Sequence, residues 1–180
     1  QMGKNLATLL RMHRIIESVK NYAHFSINDE CTPTSLISIL EDVVCICSNQ
    51  IRLAGINIDW TGIPPALVIP CRSSELHQVF VNLVTNSIDA IKDLAERWIR
   101  VDAQESADMN MIIIRITDSG EGIPPLVRGR LFTPFFTTKP RGIGTGLGLS
   151  IARKIINGHS GKIELDDHSR NTCFQITLPK

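Results

Sequence analysis

Apolar residues recur along this chain with two different periods, and the changes between them divide it. From Leu9 to Ala23 they return at alternating steps of three and four, which predicts a helix with a heptad seam that packs on a partner helix. Turn-forming residues and a proline over residues 27–33 then predict a boundary. Helical periodicity resumes over residues 34–55, with Gly55 placed to cap the C-terminus. We therefore expect a helical segment over residues 1–30 and a separate domain over residues 31–180.

The second part of the chain mixes helical and strand-type patterns. Two more helices are predicted, over residues 74–95 and 146–157. Short runs rich in branched residues predict strands over residues 56–60, 66–70, 98–105, 111–118, 161–166 and 173–179. The last two strands are expected to form a hairpin. This order of elements predicts an α+β fold, a two-layer α/β sandwich with its helices on one face of a mixed sheet.

Composition narrows the class of protein. The 180 residues are 43% apolar and 21% charged, as in a globular domain, and a net charge of +1 disfavours nucleic-acid binding. No apolar run approaches the roughly 20 residues that span a bilayer, so no membrane contact is expected from this segment. The five cysteines never form a C-x-x-C pair, which favours reduced thiols in a cytoplasmic protein over a zinc site.

Three amides lie in register on the helix predicted over residues 74–95. Gln78, Asn82 and Asn86 follow one another at steps of four, so they share one face of an otherwise apolar helix. Burying an unpaired amide costs about 1–3 kcal/mol, so these side chains either form a satisfied polar network or line a cavity. Two asparagines and a glutamine in one line favour the cavity. Their oxygens suit a hydrated magnesium ion.

The loops after residue 117 carry further candidate chemistry. Asp118 ends the most apolar strand, where a carboxylate can accept hydrogen bonds from the amino group of a flat ligand, although "DSGEGIPP" alone is also an ordinary turn. The phenylalanines of "LFTPFFTTKP" either pin that loop or close over a site. Lys139 is either a surface lysine or a contact for phosphate oxygens.

Four glycines alternate in "GIGTGLG", where the last predicted helix begins. Gly142, Gly144, Gly146 and Gly148 fit neither the dinucleotide fingerprint nor the Walker loop. Glycines that let the backbone approach a ligand, followed by a helix N-terminus, suit phosphate. A flexible linker is the alternative for this stretch taken alone.

These motifs, in this order, resemble the catalytic ATP-binding domain of sensor histidine kinases, in the ATPase superfamily shared with DNA gyrase, heat-shock chaperones and mismatch-repair ATPases. "NLVTNSIDA" is similar to the N box, "DSGEGIP" and "GTGLGLSIA" to the two glycine boxes, and "LFTPFFTTK" to the F box. The resemblance covers roughly residues 33–179. It implies an ATP-dependent protein histidine kinase that uses Mg²⁺ and relays phosphate to an aspartate of a response regulator.

The resemblance also implies roles for individual residues. Asn86 would hold magnesium with Asn82 beside it, Asp118 would bind the adenine amino group, and Lys139 would contact the triphosphate within a lid. Asn82, Asn86 and Lys139 are thus the expected catalytic residues. The remaining expected nucleotide contacts are Asp89, Gly120, Gly122, Ile123, Phe132, Thr138, Gly144, Thr145, Gly146, Leu147 and Gly148.

The sequence departs from the family pattern in three places. Gln78 stands where ATP-hydrolysing relatives carry a glutamate that activates water, which favours phosphoryl transfer over hydrolysis. Asp89 stands where many kinases have a basic residue. None of the five histidines lies in an acceptor motif, so we expect the acceptor hairpin arm to precede Gln1 and residues 1–30 to be the second arm, through which the full-length kinase forms a homodimer.

Two other functions remain open from the sequence. One is a serine-directed kinase of the same fold, of the anti-sigma-factor type, against which the seam helix argues. The other is a non-catalytic ATP-dependent conformational switch of the gyrase or chaperone type. Gln78 and the lack of room for a transducer domain weaken that alternative.

Overall fold

A computed structural model describes residues 30–106, 110–140 and 144–180 of the chain. The helix predicted between Leu9 and Ala23 lies outside these residues. In chain order the elements are β1 (Thr32–Ser35), α1 (Leu36–Ala54), β2 (Asn57–Gly62), β3 (Val68–Cys71), α2 (Ser73–Ile91), β4 (Trp98–Ser106), β5 (Met111–Asp118), α3 (Pro125–Arg128), α4 (Gly148–Gly158), β6 (Lys162–Leu165) and β7 (Cys173–Pro179).

Five strands form a mixed sheet in the order β2-β4-β5-β7-β6. Only β2 and β4 run parallel; the other neighbours are antiparallel. The predicted terminal hairpin is confirmed, with Ile163 opposite Ile176 in its register. The sheet is therefore built mainly from antiparallel pairs, and the connection between the parallel strands β2 and β4 contains α2.

The core lies between one face of this sheet and the three long helices. Along β5 the residues Ile112, Ile114 and Ile116 are buried, whereas the alternate residues are only half-buried. These isoleucines belong to the same apolar cluster as the inner faces of α1, α2 and α4. The two-layer α/β sandwich with helices on one face is thus confirmed, and the end of β5 brings Asp118 to the edge of the core.

Element boundaries differ from the sequence predictions where tertiary context decides. The helix predicted over residues 74–95 ends at Ile91 because residues 92–97 turn the chain back into β4. The last helix begins at Gly148, two residues later than predicted. Strand β1, which pairs antiparallel with β3, was not predicted at all. Its four residues gain their strand geometry from a partner more than thirty positions away, which no local pattern reports.

Helix α1 shows how local sequence sets the element ends. The Ser35 hydroxyl accepts a hydrogen bond from the backbone N–H of Ser38 at 3.4 Å, and Gly55 caps the C-terminus in the left-handed conformation at φ 61°. The predicted C-cap is confirmed. Within the described part of the chain, no helix has the length and apolar character that crossing a membrane requires.

Candidate active site

A cavity of about 620 Å³ opens between α2, the turn after β5, the loop around Lys139 and the first turn of α4. Its wall brings together the four motifs that the sequence placed up to 66 positions apart. The expected site residues that line it are Asn82, Asn86, Asp89, Gly122, Ile123, Thr138, Lys139, Gly144, Thr145, Gly146 and Gly148. The N-box asparagines therefore face a cavity, as their register predicted.

The first two amides of α2 form a chain of hydrogen bonds that reaches α4. The Nε2 of Gln78 donates to Oδ1 of Asn82 at 2.9 Å, and Nδ2 of Asn82 donates to the backbone carbonyl of Gly148 at 3.1 Å. Gln78 itself does not line the cavity. Its amide fixes the orientation of Asn82, and Asn82 in turn fixes the start of α4 against α2.

The third amide, Asn86, lies beside a cation supplied by the loop. The ammonium of Lys139 donates to Oδ1 of Asn86 at 3.2 Å and to Oδ2 of Asp89 at 2.7 Å. Lys92 is a second, more distant cation, with its Nζ 3.8 Å from Oδ1 of Asp89. The acidic residue at position 89 is thus balanced by lysines.

Asp118 lies at the end of β5 with its side chain only 2% exposed. Its Oδ1 accepts from the backbone N–H of Gly120 at 2.9 Å. Burial raises the pKa of this carboxyl, and hydrogen bonds from Ser87, Gly120 and Thr172 oppose that rise. Asp118 is not among the lining residues, but its hydrogen-bond partner Thr172 is, so the carboxyl lies immediately beside the cavity.

Gly120 leaves the space that this carboxylate needs. A Cβ there would lie 2.8 Å from Oδ1 of Asp118 and 3.1 Å from Oγ1 of Thr172. The Gly120 carbonyl also accepts from the backbone N–H of Thr172 and from Nδ2 of Asn171. The turn after β5 is therefore held against the start of β7, with Gly122 and Ile123 on the cavity side.

Gly146 shapes the phosphate end of the cavity. Its φ is +68°, and a Cβ would lie 2.4 Å from the backbone carbon of Phe135. Only glycine fits such a backbone-to-backbone approach at this φ. Leu147 then serves as the N-cap residue of α4, and the hydroxyl of Thr145 accepts from its N–H at 3.3 Å. Gly148 and Leu149 in the first turn of α4 line the cavity, and a helix N-terminus there suits an anion.

The three loop phenylalanines have three different environments. Phe132 packs edge-to-face on Phe174 of β7, with ring centroids 6.4 Å apart, and so pins the loop. Phe136 lines the cavity under the guanidinium of Arg130, at 4.5 Å. Phe135 is 68% exposed and does neither.

The structure adds lining residues that the sequence reasoning missed, namely Thr85, Ala90, Pro124, Val127, Leu131, Thr137, Leu149, Thr172 and Phe174. Thr172 matters most because its backbone carbonyl also accepts from the N–H of Asp118. It carries no local motif; only the pairing of Thr117 with Cys173 brings it beside Asp118. Ser87, next to Asn86 in sequence, was the one missed partner of Asp118 that adjacency could have indicated.

No group of three or more histidine, cysteine, aspartate or glutamate side chains in the described ranges could hold a metal ion. Any metal ion at this site would therefore be held by the amide oxygen of Asn86, the carboxylate of Asp89 and ligands that the protein does not supply, such as water or phosphate. The Lys139 ammonium already stands at such oxygens, so the donor set fits a hard, oxygen-seeking cation such as Mg²⁺.

Residues 71–180, more than half of the chain, match the family described as histidine kinase-, DNA gyrase B-, and HSP90-like ATPase. The chain is 34% identical over 147 residues to sporulation kinase A of Bacillus subtilis, covering 81% of this chain and 23% of that kinase. It is 31% identical to the catalytic domain of histidine kinase ThkA, with a TM-score of 0.70, covering 84% of this chain and 98% of that domain.

A structure of ThkA in complex with response regulator protein TrrA also matches, at 27% identity and a TM-score of 0.73, covering 96% of this chain and 48% of ThkA there. The chain spans between 19% and 32% of the length of the first curated relatives it matches. The family expected from the ordered motifs is thereby confirmed. The chain belongs to the histidine kinase-, DNA gyrase B-, and HSP90-like ATPase family and contains the ATP-binding catalytic domain of a histidine kinase.

Proposed function

We propose that this chain is the catalytic part of a two-component sensor kinase, which transfers the γ-phosphate of ATP to a histidine on another segment. The observation that carries the proposal is the single cavity at which the amides of α2, the end of β5, Lys139 and the N-terminus of α4 meet. Phosphoryl transfer needs positioning and charge stabilisation more than covalent chemistry, and these groups provide both.

The residues that line the cavity or lie beside it each bind one part of the nucleotide. Asp118, with Gly120, Gly122 and Ile123, recognises adenine through the acceptor oxygens of its carboxylate. Lys139, Gly144, Thr145, Gly146, Leu147 and Gly148 bind the triphosphate with an ammonium and backbone N–H groups. Asn82 and Asn86 complete the phosphate end, while Thr138 lines the wall and Phe132 holds the loop in place. Asp89 balances Lys139.

Asn86 is the residue that would hold magnesium, with Asp89 next to it on α2. When bound, the ion would neutralise developing charge on the phosphate oxygens. The fit rests on the Lys139 ammonium, a stand-in cation at the Asn86 oxygen. Asn86 contributes a neutral oxygen, so the site gains a cation ligand without adding further repulsion toward the triphosphate.

The acceptor histidine is proposed to lie on a segment outside this chain. His77 is held between the Ser73 carbonyl at 2.7 Å and Asp42 at 3.0 Å, and His159 is buried against the Arg72 N–H and the Ile155 carbonyl. Neither faces the cavity. We propose residues 1–30 as the second arm of a dimerisation hairpin and residues 31–180 as the catalytic domain.

The relay partner is proposed to be a response regulator, and the full-length protein a homodimer. The complex of ThkA with TrrA supports the regulator, because this chain shares its fold with ThkA. The spacing of the five cysteines, which never form a C-x-x-C pair, supports a cytoplasmic location, where thiols stay reduced. A serine-directed kinase and an ATP-dependent switch have no observation in their favour here.

The test begins with calorimetric titration of the chain with Mg²⁺ and a non-hydrolysable ATP analogue. Saturable binding is expected, and Asn86→Ala should abolish most of it, whereas Asn49→Ala on the exposed side of α1 should not. Radiolabelled Mg-ATP is then added with a histidine-bearing dimerisation hairpin as a separate polypeptide. Acid-labile, base-stable label on the hairpin is expected. Strong labelling of the chain in the absence of the hairpin would contradict the proposed transfer. So would an unlabelled hairpin when the chain is shown to bind ATP.

A further inference from the structure

The Lys139 ammonium occupies a position between two oxygens of one helix. Oδ1 of Asn86 and Oδ2 of Asp89 lie 3.2 and 2.7 Å from the same nitrogen. Residues three positions apart share one face of α2, so both side chains can reach a common point. This point lies in the cavity wall, beside the proposed triphosphate end.

We infer that Asn86 and Asp89 together form a cation site, that Lys139 is its internal occupant, and that Mg²⁺ competes with the ammonium for the same oxygens. The inference rests on the proposed function, since it assigns the regulation of that same nucleotide site. It gives Asp89 a definite role, because its carboxylate supplies the second oxygen ligand of the metal beside that of Asn86. It also makes metal binding the event that releases Lys139.

The chemistry of the two oxygens suits both occupants. A carboxylate and an amide oxygen are hard donors of the kind that Mg²⁺ prefers, and the ion fills its remaining positions with water and phosphate oxygens. An ammonium is a compact point charge that binds the same oxygens as a hydrogen-bond donor. Neither occupant can bind at both oxygens while the other is there, so binding is competitive.

Displacement is cheap because the pair is only partly shielded. The side chains of Lys139 and Asp89 are 31% and 38% exposed. Ion pairs at such exposure are weak, since water and salt screen them. Lys139 also lies in a loop, and its ammonium is carried at the end of a long flexible side chain. The ammonium can therefore leave Asp89 without any movement of α2.

Release of the lysine has a consequence for the triphosphate. In the metal-free chain, phosphates must compete with Asp89 for the Lys139 ammonium. Once the ammonium has moved to phosphate, the unneutralised carboxylate of Asp89 repels the phosphates. With the metal on Asn86 and Asp89, that carboxylate is neutralised and the ammonium is available to phosphate. The acidic residue at position 89, unfavourable beside a triphosphate when considered alone, thereby couples metal loading to phosphate binding.

Lys92 supplies a matched control within the same site. Its Nζ lies 3.8 Å from Oδ1 of Asp89, on the other carboxylate oxygen, and its side chain is 48% exposed. Replacing either lysine by alanine removes one positive charge near Asp89. Only Lys139→Ala removes the occupant of the shared position, so the two variants separate competition from general electrostatics.

The experiment titrates the whole chain with Mg²⁺ alone and follows the side-chain amide signal of Asn86 by NMR, assigned with Asn86→Asp. Lys139→Ala should tighten Mg²⁺ binding about fivefold, the size of one partly exposed ion pair, and Lys92→Ala should change it less than about twofold. Asp89→Asn should weaken binding by about tenfold or more, because the carboxylate of the Asn86–Asp89 pair is lost. Backbone spectra of all variants check that the fold is kept.

Equal effects of the two lysine variants, or Mg²⁺ affinity unchanged by Asp89→Asn, would overturn the inference. The readout needs no nucleotide, so it is independent of the proposed function. A chain that binds Mg²⁺ competitively but never binds an ATP analogue would refute the kinase proposal and leave the competition standing. A chain that binds the ATP analogue but shows no competition between Mg²⁺ and Lys139 would refute the competition and leave the kinase proposal standing.

Discussion

Replacing Asp118 by asparagine exchanges one acceptor oxygen for an amide donor at a side chain that is only 2% exposed. The shape is retained, and Oδ1 can still accept from the Gly120 N–H, which lies at 2.9 Å. One N–H of the new amide can donate to the hydroxyl of Ser87 or Thr172, because a hydroxyl both donates and accepts. The variant is therefore expected to fold, and its effects can be assigned to chemistry.

Nucleotide binding should suffer because an amide donor would face the adenine amino group, which is also a donor. Leaving such a buried donor unpaired costs about 1–3 kcal/mol, or roughly a 5- to 150-fold loss of affinity. The same change should favour inosine triphosphate, whose base carries a carbonyl where adenine carries the amino group. Asp118→Asn is thus expected to reverse the preference between ATP and inosine triphosphate.

Stability without nucleotide should move in the opposite direction. Burial raises the pKa of the Asp118 carboxyl above its ordinary value of 3.8. From that value up to the folded-state pKa, the folded chain binds more protons than the unfolded chain, so this group's contribution to stability falls as pH rises. At neutral pH the buried carboxylate is a net cost, and Asp118→Asn should unfold at a higher temperature than the parent. The difference should shrink as pH falls toward 3.8.

The assay pairs calorimetric titration with both nucleotides and thermal unfolding between pH 7 and pH 4. Asp59→Asn is the control, because hydrogen bonds from the backbone and side chain of Thr61 lower the pKa of this exposed carboxyl. Asp59 therefore stabilises the fold above pH 3.8, and that contribution disappears as pH falls through its folded pKa. Unchanged ATP affinity in Asp118→Asn, or destabilisation at neutral pH as in Asp59→Asn, would refute the reasoning.

Two further substitutions test the phosphate end. Gly146→Ala forces a Cβ to within 2.4 Å of the Phe135 backbone at φ +68°, so it should lower the free energy of unfolding by about 1–3 kcal/mol and weaken ATP binding, measured by denaturation and calorimetry. Gly129→Ala is the control, because a Cβ at this position would meet no atom within 4 Å, and it should change neither the free energy of unfolding nor ATP binding. Gln78→Glu loses the N–H that orients Asn82, so ATP affinity should fall about 2- to 10-fold; a large gain in phosphate release from ATP would contradict this role.

Strand β5 and its closing carboxylate were predictable because their signals are local. Four isoleucines over residues 111–118 gave the strand with its observed bounds, and the polar residue at its end gave Asp118. The register of Asn82 and Asn86 likewise follows from helix geometry alone, which placed both on the cavity. Sequence periodicity is enough to predict where a side chain lies when a single helix or strand determines its position.

Other features depended on contacts between distant segments. Strand β1 exists because of β3, and Thr172 reaches Asp118 only through the pairing of β5 with β7. The late start of α4 follows from the positive φ of Gly146, which a propensity for helix in "GLGLSIA" does not reveal. Phe135 is exposed although Phe132 and Phe136 of the same motif are half-buried, because a loop fixes its side-chain directions by tertiary contacts and has no period of its own.

The polar face of α2 divides into a fixed part and an exchangeable part. Gln78 and Asn82 use their amides on each other and on Gly148, so the distance between α2 and the start of α4 is set before any ligand arrives. Asn86 meets only the cation of a loop lysine within the described contacts, and that partner can be exchanged. Lost ATP binding in Asn82→Ala would therefore combine a missing contact with a displaced α4. In Asn86→Ala it would report the contact itself, because the Asn86 side chain makes no hydrogen bond to another helix in the part of the chain that the structure describes.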